Sequence, residues 1–196
     1  MNIRAESKDI KLKDVTFAFF DVETTGLESS QGDKICEVAV LKARNGRHLE
    51  SFHSLIDPGR MVSIGAYAVN GITQEMLKGK PKFNQIADKI LKMFDNAVIV
   101  CHNASFDMGF LRAEFNMAGL VLPGYPVVDT LRIARRRFDF SSNSRGNISR
   151  SLGIKIEQSH RAMNDCITTQ RIFQKFLDNF ERRGIVTLDR LLNVPR

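Results

Sequence analysis

Two acidic residues, Asp21 and Glu23, are separated by one residue and follow an apolar run at positions 17–20. Because side chains on a β-strand alternate between faces with a period of two, a strand that ends here places both carboxylates on one face. Buried neighbouring carboxylates repel each other and lose solvation, which costs stability unless a cation lies between them. Their hard oxygen atoms suit Mg²⁺ or Mn²⁺. The pair therefore predicts a divalent-metal site, and the alternative is an acidic strand end that faces water.

A third acid, Asp107, follows a short apolar strand predicted at 97–101 and falls on the first turn of the next predicted helix. In open α/β sheets, ligands collect where strands end and helices begin. We therefore expect Asp107 to reach the site of the first two acids. Its alternative role is to stabilise the start of its own helix through the helix dipole.

A fourth acid, Asp165, lies five residues after His160, near the start of a long helix predicted at 162–182. The helix is predicted from a stripe of apolar residues at helical spacing. We expect Asp165 to bind the metal, while the preceding loop brings His160 over the same site. A purely structural histidine is the alternative.

The elements that must position these groups follow an α/β pattern. After the opening strand, strands at 35–43 and 49–56 flank Asn45-Gly46, a dipeptide typical of tight hairpins. Helices and short buried strands then alternate, which predicts an α/β fold with a mixed central sheet. The remaining predicted elements are strands at 97–101 and 127–128 and helices at 83–94, 106–117, 130–138, 147–152 and 162–182.

The composition and charge narrow the class of partner. The chain has 196 residues, 43% of them hydrophobic, which fits one packed domain. Its net charge is +7, and the remaining surface is more basic still if four acids gather at one site. This balance favours nucleic acid as the partner, and the alternative is a basic protein without such a partner.

The sequence contains no apolar run near the roughly 18 residues that a membrane span needs. Its first residues lack the apolar stretch of a secretory signal. We therefore expect a cytoplasmic protein without a membrane partner, in which residues 1–15 form an N-terminal arm and 16–196 form the domain. The three cysteines lie far apart, which favours buried, reduced thiols over a disulfide or zinc site.

Several segments together resemble the DnaQ-like (DEDDh) family of 3′→5′ exonucleases. The family includes the proofreading exonuclease subunits and domains of bacterial DNA polymerase III. The similarity runs from about residue 16 to about residue 180. The matching segments are 20–27 (Phe-Asp-Val-Glu-Thr-Thr-Gly-Leu), 102–107 (His-Asn-Ala-Ser-Phe-Asp) and 160–165 (His-Arg-Ala-Met-Asn-Asp), with shorter matches at 56–58 and 70–73.

The resemblance implies a ribonuclease H-like fold, with a mixed five-stranded central sheet flanked by helices, and two Mg²⁺ or Mn²⁺ ions. It implies that Asp21 bridges both ions and that Glu23 and Asp165 hold the ion that carries the attacking water. Asp107 then supports the second ion, and His160 is the general base. Such a site clamps the attacking and leaving oxygens of a phosphodiester.

The implied reaction releases nucleoside 5′-monophosphates from DNA 3′ ends, most readily single-stranded ones, in proofreading or repair. RNA 3′ ends and a non-catalytic nucleic-acid-binding adaptor are the alternatives, and a DNA polymerase is an implied partner. The resemblance also implies that Thr24 and Thr25 seat the terminal nucleotide, with Val69 and Ile72 as an apolar edge against its base. Asn70 departs from the pattern, since many relatives have histidine there.

One basic run, 132–137, has no place in these motifs. Its arginines at positions 132, 135 and 136 share one face of a predicted helix. They form either a solvated face or a stripe that contacts phosphates.

Overall fold

The computed structural model describes residues 10–156 and 160–193. In its strand β1, Thr16–Thr24, the apolar side chains point alternately to the two faces of the sheet. Phe17 and Phe19 belong to one buried cluster, whereas Ala18 and Phe20 belong to another. Since successive side chains of a strand point to opposite faces, β1 is covered on both sides. It is the central strand of the molecule.

Five strands form one mixed sheet in the order β3-β2-β1-β4-β5. Neighbours β1, β2 and β3 pair antiparallel, and β1, β4 and β5 pair parallel. The predicted mixed five-stranded sheet is confirmed. The other strands are β2 (Ile35–Arg44), β3 (Arg47–Leu55), β4 (Val98–Cys101) and β5 (Val127–Asp129).

Helices connect and cover these strands. Within the described residues, none of them is long and apolar enough to cross a membrane. They are α1 (Ile64–Asn70), α2 (Gln74–Leu77), α3 (Phe83–Phe94), α4 (Ala104–Met117), α5 (Thr130–Arg137), α6 (Arg145–Ser151), α7 (Ala162–Arg182) and α8 (Leu188–Leu192).

The two faces of the sheet carry different helices. On one face, α3 and α4 pack against Phe20, which makes an edge-on ring contact with Phe94. On the other face, α7 packs against β1, and Phe173 contacts the rings of both Phe17 and Phe19. Burying each such ring contributes about 1.5–3 kcal/mol. The α7 face is therefore fixed firmly against β1.

This arrangement decides where the acids lie. Asp21 and Glu23 share the parity of Phe17 and Phe19, so they point to the α7 face beyond the aromatic core. Strand β4 pairs with β1 only at residues 17–19, so the edge of β1 beyond that point has no neighbouring strand on the β4 side. The end of β1 is thereby open to groups that arrive from helices.

The part of the predicted N-terminal arm that the structure describes joins the core. Leu12 and Val15 are buried, and the Leu12 backbone N–H donates to the carbonyl of Val186. The Leu188 N–H donates in turn to the carbonyl of Ile10. Residues 1–9 of the predicted arm lie outside the described residues, and the boundary at residue 15 stays a prediction.

Candidate active site

Three predicted metal ligands meet at the end of β1. One carboxylate oxygen each from Asp21, Glu23 and Asp165 lies within 4.8 Å of the other two. Strand parity places the first two, and α7 presents Asp165 on its first turn above them. Asp21 and Asp165 are buried and Glu23 is partly exposed. Acids from distant parts of the chain thus share one small volume.

The fourth acid, Asp107, reaches the same corner from α4, on the opposite layer. Its Oδ1 accepts a hydrogen bond of 3.2 Å from the backbone N–H of Val22, in the stretch of β1 that β4 does not cover. Asp107 is 3% exposed. Burial and the nearby charge of Asp21 raise its pKa well above the ordinary value.

The electrostatics of the cluster favour a bound cation. Burial, reinforced by Asp21 and Asp165, raises the pKa of Glu23 to about 8. Burial also raises the pKa of Asp21 to about 6, although Arg145 opposes this rise and Asp165 adds to it. Burial and mutual repulsion thus disfavour the ionised carboxylates, and a bound positive charge would offset both effects. Because all the donors are hard oxygens, the cluster fits Mg²⁺ or Mn²⁺.

Arg145 supplies one positive charge to this cluster, and no motif in the sequence pointed to it. Its Nη1 donates to Asp21 Oδ1 at 2.6 Å, and its Nη2 donates to Asp165 Oδ2 at 2.8 Å. Ser144 caps the start of α6 by accepting from the Asn147 N–H, which sets the position of the arginine. One guanidinium among four carboxylates leaves the site with excess negative charge.

His160 lies at the rim of the cluster on the segment that enters α7. Its backbone N–H donates to Asp165 Oδ2 at 3.2 Å. Its φ of 60° lies in the left-handed region, which is uncommon for a residue with a β-carbon. The side chain is exposed and borders a cavity of about 550 Å³ that Asp21, Glu23 and Asp107 also line.

The comparison with known families follows this geometry. A family model described as RNase_T exonuclease matches residues 18–173. The chain belongs to this exonuclease family. The resemblance to DnaQ-like (DEDDh) 3′→5′ exonucleases is therefore confirmed, and the protein is an enzyme of that class.

Individual relatives agree with the family assignment. The exonuclease is 33% identical over 192 residues to a DNA polymerase III PolC-type protein of Thermotoga petrophila. The aligned region covers 98% of this chain but 14% of that protein. The chain thus spans about one seventh of the length of this relative.

Solved structures extend the comparison. Exonuclease X in complex with 5′ overhanging duplex DNA has 27% identity and a TM-score of 0.66, covering 83% of this chain and 92% of that one. The nuclease domain of 3′hExo, a DEDDh family member bound to rAMP, has 17% identity and a TM-score of 0.73, with 84% and 92% coverage. The second likeness shows the fold alone, and the predicted ribonuclease H-like architecture is confirmed.

Two adjacent threonines at the end of β1, both expected to seat the terminal nucleotide, lie in different environments. Thr24 lines the cavity, and its hydroxyl donates to the Gly26 carbonyl at 2.6 Å. Thr25 is fully buried, and its hydroxyl donates to Asp33 Oδ1 at 3.2 Å. A β-carbon at Gly26 would overlap the Asp33 carboxylate, so this close approach requires glycine. Thr25 therefore stabilises the turn, while Thr24 is open to the cavity.

The two apolar residues predicted to contact the terminal base lie in different environments. Val69 is 57% exposed and lines the cavity of the exonuclease. Ile72 is 0% exposed and packs with Cys36 and Leu77 behind α1, so it presents no edge to the cavity. Asn70, which replaces the usual histidine, donates from Nδ2 to the Thr24 carbonyl at 3.3 Å. The structure thus corrects the placement of Ile72, and of these two residues Val69 is the one that borders the cavity.

A second histidine near the site has both ring nitrogens engaged. His102 Nδ1 lies 2.9 Å from Thr130 Oγ1, and Nε2 lies 3.1 Å from the Asn143 carbonyl oxygen. Burial and the charge of Arg145 lower the pKa of His102 to about 4, so the ring is neutral at pH 7. This histidine ties α5 to the segment that leads into α6.

A separate buried acid, Glu37, lies on β2 directly opposite Glu23. It accepts hydrogen bonds from Arg161 and from the Ala162 backbone, and His53 contacts it at 2.7 Å. Sequence reasoning missed Glu37, although a lone acid within an apolar strand was the available signal. All three cysteines are buried and free, as predicted.

Proposed function

We propose that this exonuclease is metal-dependent and releases nucleoside 5′-monophosphates from DNA 3′ ends. The observation that carries the proposal is the convergence of Asp21, Glu23 and Asp165 within 4.8 Å of one another. Asp107 lies beside them, and His160 borders the same cavity. A phosphodiester is anionic, so four acids can approach it only when metal charge intervenes.

The acids divide the work of holding metal. Glu23 and Asp165 would hold one divalent ion, Asp107 would support a second, and Asp21 would contribute to holding both. Two Mg²⁺ or Mn²⁺ ions held there would supply positive charge for the attacking water and for the leaving oxygen. Arg145 bridges the Asp21 and Asp165 carboxylates and orients them through its two hydrogen bonds.

His160 accepts the proton of the attacking water. The bond from its backbone to Asp165 keeps the imidazole at the edge of the acid cluster. Imidazole is suited to this role because its ring nitrogens can both accept and donate a proton. Its exposure leaves the ring free to pass that proton to solvent.

The substrate strand enters past the turn after β1. Thr24 contacts the terminal nucleotide, and Val69 contacts its base. The basic remainder of the chain, with a net charge of +7, attracts the phosphates further along the strand. The cavity of about 550 Å³ has room for an unpaired terminal nucleotide, and single-stranded DNA ends are the proposed substrate.

The DNA preference rests on the similarity to PolC-type DNA polymerase III, which also supports a cytoplasmic role in proofreading or repair and a polymerase partner. An RNA 3′ end is the second candidate substrate, because the 3′hExo nuclease domain was solved with rAMP bound. A non-catalytic adaptor is disfavoured, since the four acids and His160 are all present.

The test is a nuclease assay of the purified protein on end-labelled oligonucleotides. Single-stranded, paired and mispaired DNA and matched RNA are incubated with Mg²⁺, with Mn²⁺ or with EDTA. We expect stepwise shortening from the 3′ end that requires metal, is lost in Asp21→Ala and falls to a low but measurable rate in His160→Ala. Faster loss of RNA than of DNA would select the second substrate, and no degradation of any 3′ end would exclude the proposed function.

A further inference from the structure

We propose that Glu37 and Arg161 form a clamp that positions His160 for proton transfer. The inference rests on the proposed catalytic role of His160 and adds two positioning residues to it. Neither residue lines the cavity, and neither belongs to the acid cluster. They act on the reaction through the backbone that carries the imidazole.

The backbone of His160 is strained. Its φ of 60° falls in the left-handed region. For a residue with a β-carbon this conformation is unfavourable, and it persists where neighbouring contacts fix it. Such strain is typical of residues that are held for a function, and contacts of His160 and of the two residues after it hold this backbone.

Contacts fix this segment at three consecutive residues. The His160 N–H donates to Asp165 Oδ2, and the side chain of the next residue, Arg161, binds Glu37. The Ala162 N–H donates to Glu37 Oε2 at 3.1 Å. One carboxylate from β2 therefore holds both residues that follow the histidine.

The ion pair between Arg161 and Glu37 is bidentate. Arg161 Nη2 donates to Oε1 at 2.7 Å, and its Nε lies 3.1 and 3.2 Å from the two carboxylate oxygens. The side chain of Glu37 is 0% exposed and that of Arg161 is 30% exposed. Planar, two-point contacts of this kind fix orientation as well as distance, which a lysine could not do.

Glu37 of the clamp and the proposed metal ligand Glu23 lie on the adjacent strands β2 and β1. Glu37 is the register partner of Glu23, so both side chains point to the α7 face of adjacent strands. His53 Nε2 on β3 lies 2.7 Å from Glu37 Oε1, the same oxygen that accepts from Arg161 Nη2. The sheet thereby sets the position of the histidine segment relative to the acids.

A merely structural ion pair makes different predictions from a positioning clamp. A structural pair affects stability and the whole site, so its loss reduces activity with or without His160. A clamp acts through the histidine, so its loss lowers kcat with little change in KM or DNA affinity. It also has no further effect once His160 is removed, because effects of residues that act as a unit are not additive.

The experiment compares Glu37→Gln and Arg161→Lys with wild type in single-turnover hydrolysis of single-stranded DNA. We expect kcat to fall about 10–100-fold, since a displacement of 1 Å can cost about 100-fold. DNA affinity, measured with Ca²⁺ in place of Mg²⁺, should change less than about twofold by the same argument. On a His160→Ala background, neither substitution should lower the residual rate further.

Glu114→Gln is the matched control. Glu114 is another buried glutamate that accepts from the backbone of β2, through the Ile35 N–H at 3.0 Å, but it does not contact the His160 segment. Its kcat should equal that of wild type. If Glu37→Gln does not fold, Arg161→Lys carries the test alone, because its side chain is partly exposed.

The outcomes separate the clamp from the proposed function. An active wild type with normal kcat in Glu37→Gln and Arg161→Lys overturns the clamp and leaves the nuclease assignment intact. An equal loss of rate with and without His160 shows a structural pair and also overturns the clamp. A wild type that degrades no 3′ end overturns the proposed function, and the clamp with it.

Discussion

Glu37 on β2 lies beside the acid cluster at the end of β1, and the two sites differ in how much positive charge contacts their carboxylates. Burial opposes the charge of Glu37, but hydrogen bonds from His53, Arg161 and the Ala162 backbone outweigh it and lower its pKa to about 2. In the neighbouring cluster, burial and mutual repulsion raise the pKa of Glu23 to about 8. Only one guanidinium, that of Arg145, contacts this cluster in the part of the chain that the structure describes.

The difference teaches how to recognise a buried acid that serves the reaction. Burial raises the pKa of an acid in both groups, so burial alone does not distinguish them. The groups that contact the carboxylates do distinguish them. Glu37 accepts from Arg161 and the Ala162 N–H and contacts His53, whereas the acid cluster lacks the positive charge that its carboxylates require. That deficit is what a divalent cation would fill.

Replacing one acid of the unbalanced cluster should give the largest effect. In Asp21→Asn we expect metal-dependent hydrolysis to fall by about 10³-fold or more, as for residues that act as a catalytic unit. The control is Asp57→Asn, because Asp57 is a surface acid that forms an ion pair of 2.8 Å with Lys82. Its activity should equal that of wild type. More than a tenth of the wild-type rate in Asp21→Asn would mean that the two acid groups do not differ as proposed.

Removing the charge of the balanced acid should change stability in a pH-dependent way. Because the folded pKa of Glu37, about 2, lies below its ordinary value of 4.5, the carboxylate stabilises the fold above pH 4.5 and loses this effect as pH falls towards 2. Glu37→Gln should therefore lower the free energy of unfolding at pH 7 by on the order of 3 kcal/mol.

Urea unfolding of wild type and Glu37→Gln at pH 7, 5 and 3 measures this difference. The gap between the two proteins should narrow as pH falls below 4.5, because Glu37 becomes protonated in the unfolded chain first. A gap that stays constant across this range would contradict the lowered pKa.

Divalent metal should stabilise the protein through the unbalanced cluster alone. Mn²⁺ at a hundred times its dissociation constant adds about 2.7 kcal/mol, which corresponds to about 5–10 °C in melting temperature for a chain of this size. We expect this rise in wild type and in Glu37→Gln, and its loss in Asp165→Asn. Thermal melts with Mn²⁺ and with EDTA provide the measurement, and an equal rise in Asp165→Asn would place the metal elsewhere.

The smallest effect concerns the basic face of α5, away from both groups. Arg132 and Arg135 are exposed and lie one turn apart. If they contact phosphates, replacing both with glutamate should reduce the salt slope of single-stranded DNA binding by about 0.7 per lost contact. Lys89 and Lys92, an exposed pair with the same spacing on α3, are the matched control. A slope no different from that control would leave α5 as a solvated face.

Much of this arrangement followed from local rules in the sequence. Strand alternation predicted that Asp21 and Glu23 would share a face, and the helical stripe predicted α7 with Asp165 near its start. These rules need only the order of the residues. The α/β class with a mixed sheet followed from the order of strands and helices, whereas the five-stranded ribonuclease H-like sheet was implied by the family resemblance.

Other features depend on packing between distant segments, which no local pattern records. Arg145 reaches the acids because α6 packs against α7, and its neighbours in sequence are ordinary turn residues. Ile72 was predicted to face a base, but it packs with Cys36 and Leu77 instead. An apolar residue after a short helix satisfies either arrangement, and the sequence offers no signal that separates them.

The shortness of β4 has a consequence for access to the site. Because β4 covers β1 only at residues 17–19, the last rungs of β1 keep one flank uncovered, and Asp107 reaches Val22 through that gap. If β4 were two residues longer, its backbone would hydrogen-bond to this edge of β1 and displace the Asp107 carboxylate. In this architecture, where a strand stops is as much a part of the active site as which side chains it carries.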